Sequence, residues 1–506
     1  MSHARLWFGF LAMCLGMFMA ILDIQVVASS LTTIGAALHI APARLGWVQT
    51  TYLMAEIVAI PLTGFLTRAL SLRWMFAAAT LGFTLASLGC ALAPDYDTLI
   101  ALRAVQGFCG GMLIPAVFTS VFVMIPEPHR VLATAMAGAC AVIAPTIGPL
   151  VGGALTEHWS WHWIFLINLL PGIAVTLAVA AAVRTGRPEL SQLRRLDYAT
   201  MLLVAIFLAA LQLLLSEGPR HEWQGGYVAA IAATIVVTGG LGAWRSLTHA
   251  SPFINLHRFR EQSFALGSAL SFVLGTGLYG SVYLMALFLG LVRGHNPLQI
   301  GEIMTVSGVA QLAMAPLAAW VECRIDARLL SIAGFSLFGA GLLTNGFTTE
   351  QSDFWQLFWP QILRGLAVML CLLPATRLAL DVWPEREVAD ASGLFNLMRN
   401  LGGAVAIALI DTLLTEATPR HAAALVTRLE AGDVAAARLV GLPTALFRGH
   451  AMGPVDPITK AMIAPIVQRA ALAQSFNEAW LILGSFFLLM ALLLPFVRHR
   501  RRRSTA

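Results

Sequence analysis

Lysine is almost missing from this chain: a single one, Lys460, stands among 506 residues. A loop that cradles nucleotide phosphates ends in Gly-Lys-Ser/Thr, and Ile458-Thr459-Lys460-Ala461 is no such loop, which excludes a pump driven by ATP. Charge of either sign is scarce as well, at 11% against about 25% in a soluble domain. Water is therefore not the main solvent of this protein. The six cysteines (Cys14, Cys90, Cys109, Cys140, Cys323, Cys371) lie within or at the ends of apolar runs, with neither metal-ligand spacing nor a paired extracellular pattern. They read as packing residues, and no metal or other cofactor is expected. No H-E-x-x-H motif or paired catalytic constellation occurs in an apolar run, so an intramembrane enzyme is not the reading.

What the chain has instead is hydrophobic length, with 58% hydrophobic residues arranged in recurring runs. About 20 apolar residues cross a hydrocarbon core of roughly 30 Å. Helices are required, because a lipid-exposed backbone must satisfy its own hydrogen bonds. Runs between charged or turn-rich breaks place fourteen spans at about 6–31, 45–66, 74–93, 98–122, 132–156, 163–183, 197–216, 226–245, 264–291, 299–321, 329–347, 355–380, 388–416 and 476–497. The first is too long for the core of a signal peptide and lacks a small-residue cleavage site, so it is expected to be retained.

Short cytoplasmic loops collect Lys and Arg. With the N-terminus inside, the inner loops hold Arg68, Arg73, Arg130, Arg184, Arg187, Arg194, Arg195, Arg258, Arg260, Arg324, Arg328 and Arg386, and the short outer loops only Arg44, Arg220 and Arg293. The asymmetry predicts a multi-pass protein of the cytoplasmic (inner) membrane with both termini inside. The net charge of +6 then faces anionic headgroups, through these loops and the tail Arg498 and Arg500 to Arg503, and not nucleic acid.

The halves repeat. Pro61-Leu62 followed by Arg73 is echoed by Pro316-Leu317 followed by Arg328, and Leu102-Arg103 with Pro115-Ala116 by Leu363-Arg364 with Pro374-Ala375. The pattern predicts two related six-helix bundles, residues 1–195 and 263–506, with two linker helices inserted over 196–262. Such repeats go with a transporter whose site lies near the membrane midplane, and they disfavour a passive channel.

Motifs along the chain resemble one family. Leu22-Asp23 with Gln25-Val26-Val27 is similar to an L-D-x-T-I-V motif, with Gln25 at the usual Thr. Leu99, Arg103, Gln106 and Gly107 match a fourth-span motif; Pro145, Gly148-Pro149 and Gly152-Gly153 a fifth-span antiporter motif; and Phe165-Leu166-Ile167-Asn168 the F-x-I-N start of the sixth span. Phe395-Asn396, Arg399-Asn400 and Gly402-Gly403 resemble an F-N-x-x-R segment. Together these resemble the fourteen-span drug:proton antiporter branch of the major facilitator superfamily, the EmrB-type permeases, over nearly the whole chain. The resemblance implies the major facilitator fold and proton-driven efflux of small hydrophobic or amphipathic compounds by alternating access. It also implies work alongside a periplasmic adaptor and an outer-membrane channel. A dedicated exporter of one metabolite, such as a fatty acid or natural product, fits the same residues. One departure stands out: the loop after the second span usually reads G-x-L-a-D-R-x-G-R-R, whereas Gly64 to Ser71 lacks both the acid and the second glycine.

Ionisable groups inside spans are costly and so usually face a cavity or a partner. Six qualify: Asp23, Glu56, Arg103, Arg364, Arg399 and Asp411. At 1.5 Å per residue, Asp23 lies about 26 Å from the inner start of the first span and Arg103 about 8 Å from the outer start of the fourth, so an outer-half pair is expected, with a coupling or a structural role. Glu56 lies roughly 16 Å into the second span, where desolvation penalises the charged form; it is read as a proton-coupling carboxyl or a neutral packing residue. Arg364 and Arg399 are read as interhelical clamps or, with Asn396, as second-half counterparts of the first-half site. Asp411 is close enough to the outer end of its span to reach water.

Pro145 and Pro149 bend the fifth span and Gly148, Gly152 and Gly153 permit close packing, which reads as a leak-limiting gate or as ordinary transmembrane usage. Trp159, Trp161 and Trp163 form an interfacial aromatic belt. The outer connection from about 417 to 475 is unusually long. Within it Ile458, Met462, Ile463, Ile466, Val467 and Ala470 recur at helical spacing and predict one apolar helix face, suited to the adaptor, to capping the outer opening or to the membrane surface.

Overall fold

In the computed structural model, the described residues are 3–40, 42–186, 188–189, 191, 197–249, 254–447, 453 and 457–496. Arg187, Arg194, Arg195 and the basic tail from Arg498 lie outside them.

Twelve helices among the described residues are long and apolar enough to cross a membrane, and a bent pair, Glu127–Pro145 and Ile147–His158, adds a thirteenth. One of the twelve, Trp47–Ala91, is 45 residues long and breaks at Ser71, where φ is 68° and ψ 154°. Its two parts are separate passes, the second and third spans, which makes fourteen. The other spans are His3–Ala37, Tyr96–Met124, Arg130–His158, then Trp163–Leu166 continued by Leu169–Ala182, Tyr198–Glu217, Gly226–Thr248, Gln262–Leu287, Pro297–Glu322, Ala327–Asn345, Phe354–Leu380, Glu385–Glu430 and Pro457–Leu493.

Caps define several starts. Asp95 opens the fourth span by accepting from the Thr98 amide, and Asn296 and Asp353 open the tenth and twelfth with reciprocal bonds to Gln299 and Gln356. The seventh and eighth spans pack on each other and, through the seventh, on the second and thirteenth. Leu202, Val236 and Val237 on this pair are exposed, the pattern of helices whose outer solvent is lipid. Consecutive spans alternate in direction, so Arg68, Arg130, Arg258 and Arg324 gather at one end of the bundle, the basic end, and Arg44, Arg220 and Arg293 at the other.

Three boundaries differ from those read in the sequence. The first span begins at His3 and runs to Ala37, past the predicted end at residue 31. The thirteenth does not stop near residue 416 but runs to Glu430 through Pro419, and the fourteenth starts at Pro457 and not at 476. At 1.5 Å per residue the thirteenth helix is about 69 Å long, so much of it stands beyond the membrane. Packing explains why a proline and polar residues did not end it. Leu425 and Leu429 are buried with Ala436, Ala437 and Val440 of a short helix, Val434–Val440, and with Val467, Ala470 and Ala471 of the fourteenth. Thr418 donates to Ser475 at 3.0 Å. Asp433 caps the short helix, and the Arg428 guanidinium together with the Ala436 and Ala435 amides holds its carboxyl below the usual range.

The 417–475 segment is therefore a packed helical extension. Its predicted single apolar face is two stripes: Val467 and Ala470 face the small core, whereas Met462 and Ile466 are exposed. In the aromatic belt, Trp159 and Trp163 are exposed but Trp161 is buried, stacked on His162 with 3.9 Å between ring centroids.

Candidate functional site

Motifs far apart in sequence converge on one carboxylate. Asp23, fully buried in the first span, accepts at Oδ2 from Arg103 Nη1 of the fourth span at 2.5 Å. Its Oδ1 accepts from Gln106 Nε2 at 3.0 Å and from Asn168 Nδ2 at 2.9 Å, at the break of the sixth span. Gln106 also accepts from Arg103 at 2.7 Å and donates to Ser87 of the third span at 2.6 Å. Arg103 Nε donates to the Val48 carbonyl at 3.2 Å, and its guanidinium lies 4.3 Å from the centre of the Tyr52 ring. Five spans are thereby tied to a single ion pair. A buried pair is tolerable only when its other polar atoms are largely bonded; Gln106 and Asn168 do this for the carboxylate and the Val48 carbonyl for Arg103 Nε, while Arg103 Nη2 is buried without a hydrogen-bond partner among the described residues.

Gln106 and Asn168 stand in motifs visible in the sequence, but nothing there assigns them to Asp23. Tyr52, Val48 and Ser87 are not foreseen at all, since a Tyr, a carbonyl and a Ser in apolar helices carry no signal until the helices meet.

Glu56 is buried in the second span and, among the described residues, its carboxyl accepts no hydrogen bond. It lies near enough to Arg103 and Tyr279 to interact with them electrostatically.

A cavity of about 380 Å³ lies between the halves, toward the end opposite the basic one. Ile21, Ile114, Val282, Met304 and Leu372 supply much of its apolar wall, and Gln25, Ser29, Gln49, Tyr279, Tyr283 and Arg399 its polar groups. The fifth span contributes Pro145 and Pro149 and bends by 44° beside the cavity. There a side chain at Gly148 would collide with Gln25, and one at Gly152 with the Val26 backbone and Ser29. The two glycines thus let the fifth span close against the first.

In the second half, Arg364 of the twelfth span donates to the Ser281 carbonyl of the ninth at 3.3 Å and to Gln361. It occupies the place that Arg103 holds in the first half, with a backbone carbonyl where Arg103 has Asp23. Arg399 bonds Asn396 one turn back on its own helix, and its guanidinium lies 5.1 Å from the centre of the Phe118 ring in the fourth span. Asn396 donates to the Ser392 carbonyl at 2.8 Å. Asp411 accepts from Tyr283 at 2.6 Å and so is partnered within the protein; because the thirteenth helix continues to Glu430, it stands inside that helix and not near its end as the sequence suggested.

At the basic end the halves are closed on each other. Arg68 of the first half pairs with Asp390 of the second; Arg258, in the link before the ninth span, buttresses the same acid by reaching Glu387 at 3.2 Å and Asp390 at 3.4 Å while lying over Trp383. Arg130 faces Asp381 at 3.6 Å, and the Ser392 hydroxyl donates to the Pro115 carbonyl at 2.8 Å. Arg68 stands where the usual loop motif has its acid, so the charge is reversed and the carboxylate comes from the other half.

A family profile described as the Major Facilitator Superfamily matches residues 13–294 and 267–427. The chain is 41% identical over 416 residues to the colistin resistance protein EmrB of Acinetobacter baumannii, covering 82% of this chain and 81% of that one. It is 28% identical over 487 residues to the multidrug export protein EmrB of Escherichia coli, covering 95% and 93%, and 30% identical over 405 residues to the fatty acid resistance protein FarB of Neisseria gonorrhoeae, covering 80% of each. Among solved structures, the proton:xylose symporter XylE superposes with a TM-score of 0.59 at 14% identity, over 98% of this chain and 97% of that one. A bacterial homologue of the lysosomal transporter Spinster gives 0.54 at 15%, over 99% and 100%.

Proposed function

The chain belongs to the Major Facilitator Superfamily, among its EmrB-type drug exporters, and on that premise we propose that it expels hydrophobic or amphipathic compounds across the inner membrane in exchange for protons, by alternating access. The observation that carries this reading is the position of the Asp23–Arg103 pair: fully buried, tied to five spans, and on the first span, whose Ile21 and Gln25 line the central cavity. A proton taken by Asp23 cancels one charge of the pair and loosens every span bonded to it. Ion coupling of this kind is energetically sufficient, since one charge moved through 100 mV is worth about 2.3 kcal/mol.

In this reading the basic end faces the cytoplasm, both termini lie there, and the closed ion pairs at Asp390 make this the conformation open toward the outside. Arg68, in the loop after the second span, then serves as a cytoplasmic latch. The extension beyond the thirteenth and fourteenth spans lies in the periplasm and presents Met462 and Ile466 to an adaptor that leads to an outer-membrane channel. A second reading, a dedicated exporter of one metabolite such as a fatty acid, is favoured by the likeness to FarB.

The test is transport in proteoliposomes loaded with a hydrophobic fluorescent dye, with and without a pH gradient. Gradient-dependent dye movement by the wild type and its loss in Asp23→Asn support the proposal. Dye movement that ignores the gradient, or that persists in Asp23→Asn, overturns it.

A further inference from the structure

The geometry points to a cargo that carries one negative charge on an apolar body, with Arg399 as the group that receives that charge. This rests on the reading of the chain as an exporter and adds the chemical class of what it carries.

Arg399 is only 3% exposed, yet it lines the central cavity. Its one hydrogen bond is to the amide oxygen of Asn396 on the same helix, and no carboxylate pairs with it among the described residues. The acids nearest to it among the described residues are bonded elsewhere or set back from the cavity. Asp23 is held by Arg103, Gln106 and Asn168. Asp411 accepts from Tyr283. Glu56 is buried and does not line the cavity, and among the described residues no Asp or Glu does. Of the other deep arginines, Arg103 has Asp23, and Arg364 is occupied by the Ser281 carbonyl and Gln361.

A guanidinium taken out of water without a counter-charge is costly, and the ring of Phe118 offsets only part of that cost. One guanidinium nitrogen is taken by Asn396 and Arg399 lines the cavity, which leaves its other donors for a group bound there. A carboxylate or similar planar anion fits the fork of a guanidinium with two parallel hydrogen bonds. The rest of the wall is chiefly apolar, and about 380 Å³ falls within the size of a drug-like pocket. An amphipathic monoanion matches all three features. A cation of the same size meets like charge at Arg399.

The experiment uses the full-length protein in nanodiscs and three probes with one tail and different heads: decanoate, decanol and decyltrimethylammonium. Hydrogen bonds to a charged group predict that the wild type binds decanoate at least about tenfold more tightly than either of the others. Arg399→Lys should keep part of that preference, and Arg399→Gln should lose it. Asn396→Asp keeps the arginine and nearly the same side-chain shape but places a carboxylate on its existing partner. It should abolish the preference for decanoate; since the carboxylate cannot donate to the Ser392 carbonyl as Asn396 does, folding of this variant is checked by monodispersity in detergent. Equal binding of the three probes by the wild type overturns the assignment, as does a preference that survives in both Arg399→Gln and Asn396→Asp. In proteoliposomes the two proposals separate: gradient-driven dye export without head-group preference removes only the anionic cargo, whereas decanoate preference without export of any compound removes the exporter reading.

Discussion

Arg68, in the link between the second and third spans, forms an ion pair across the two halves with Asp390, one turn into the thirteenth span. Both side chains are about a third exposed or less, and a pair of that kind is worth about 1 kcal/mol at most. That is enough to bias a two-state gate without locking it, which suits a latch that must open once per cycle.

Neutralising either partner should therefore favour the conformation open at the basic end. Ser392 is fully buried between the halves, so Ser392→Cys in a cysteine-free background reports the opening. Its labelling by a membrane-impermeant maleimide should be faster in Arg68→Ala and in Asp390→Asn, and slower again in the swap Arg68→Asp with Asp390→Arg. Identical labelling rates in all four proteins would show that the pair does not hold the gate.

Asp23 and Arg103 should each be essential to gradient-driven export, because removing one leaves the other as an uncompensated buried charge, at a cost of about 3–5 kcal/mol. The swap Asp23→Arg with Arg103→Asp should recover folding, read as monodispersity in detergent, and part of the transport. Single variants that export at the wild-type rate would rule the pair out of the mechanism.

For Glu56 the expectation is a separation of binding from coupling. Glu56→Gln keeps the neutral shape in a site where no hydrogen bond is lost, so ligand binding in detergent should be unchanged while efflux driven by the pH gradient fails. Gradient-driven efflux at the wild-type rate and normal expression would falsify the coupling role.

Ser71 carries the backbone that a glycine would carry, with φ 68° and ψ 154°, in a region open almost only to glycine and costing about 1–3 kcal/mol. Glycine costs about 0.5–1 kcal/mol through the freedom of the unfolded chain, so relief of the strain outweighs the added freedom. Ser71→Gly should raise the thermal midpoint of the purified protein, and a lower midpoint would mean that the Ser71 side chain contributes more than its backbone costs.

The helical extension offers Met462 and Ile466 to a partner. Since both are exposed, Met462→Glu with Ile466→Glu should leave expression and ligand binding intact but reduce co-purification of an adaptor and export from whole cells. Full adaptor retention would place docking elsewhere.

The transmembrane character, the number of passes and the basic end followed from the sequence, because each depends on local quantities: the length of an apolar run and the arginines between runs. Asp23, Glu56, Arg103, Arg364 and Arg399 were visible for the same reason, as each is costly in an apolar helix wherever that helix goes. Partnership was not visible. That Asp23 collects Gln106 and Asn168, that Arg68 finds its acid 322 residues away at Asp390, and that Arg399 finds none among the described residues depends on which helix faces touch. The same holds for the thirteenth helix, whose polar end and Pro419 read as a loop until Leu425 and Leu429 are seen packed against Val467 and Ala470. Hydrophobic length is a property of a segment, whereas the neutralisation of a buried charge is a property of its neighbours, and only the tertiary structure supplies those.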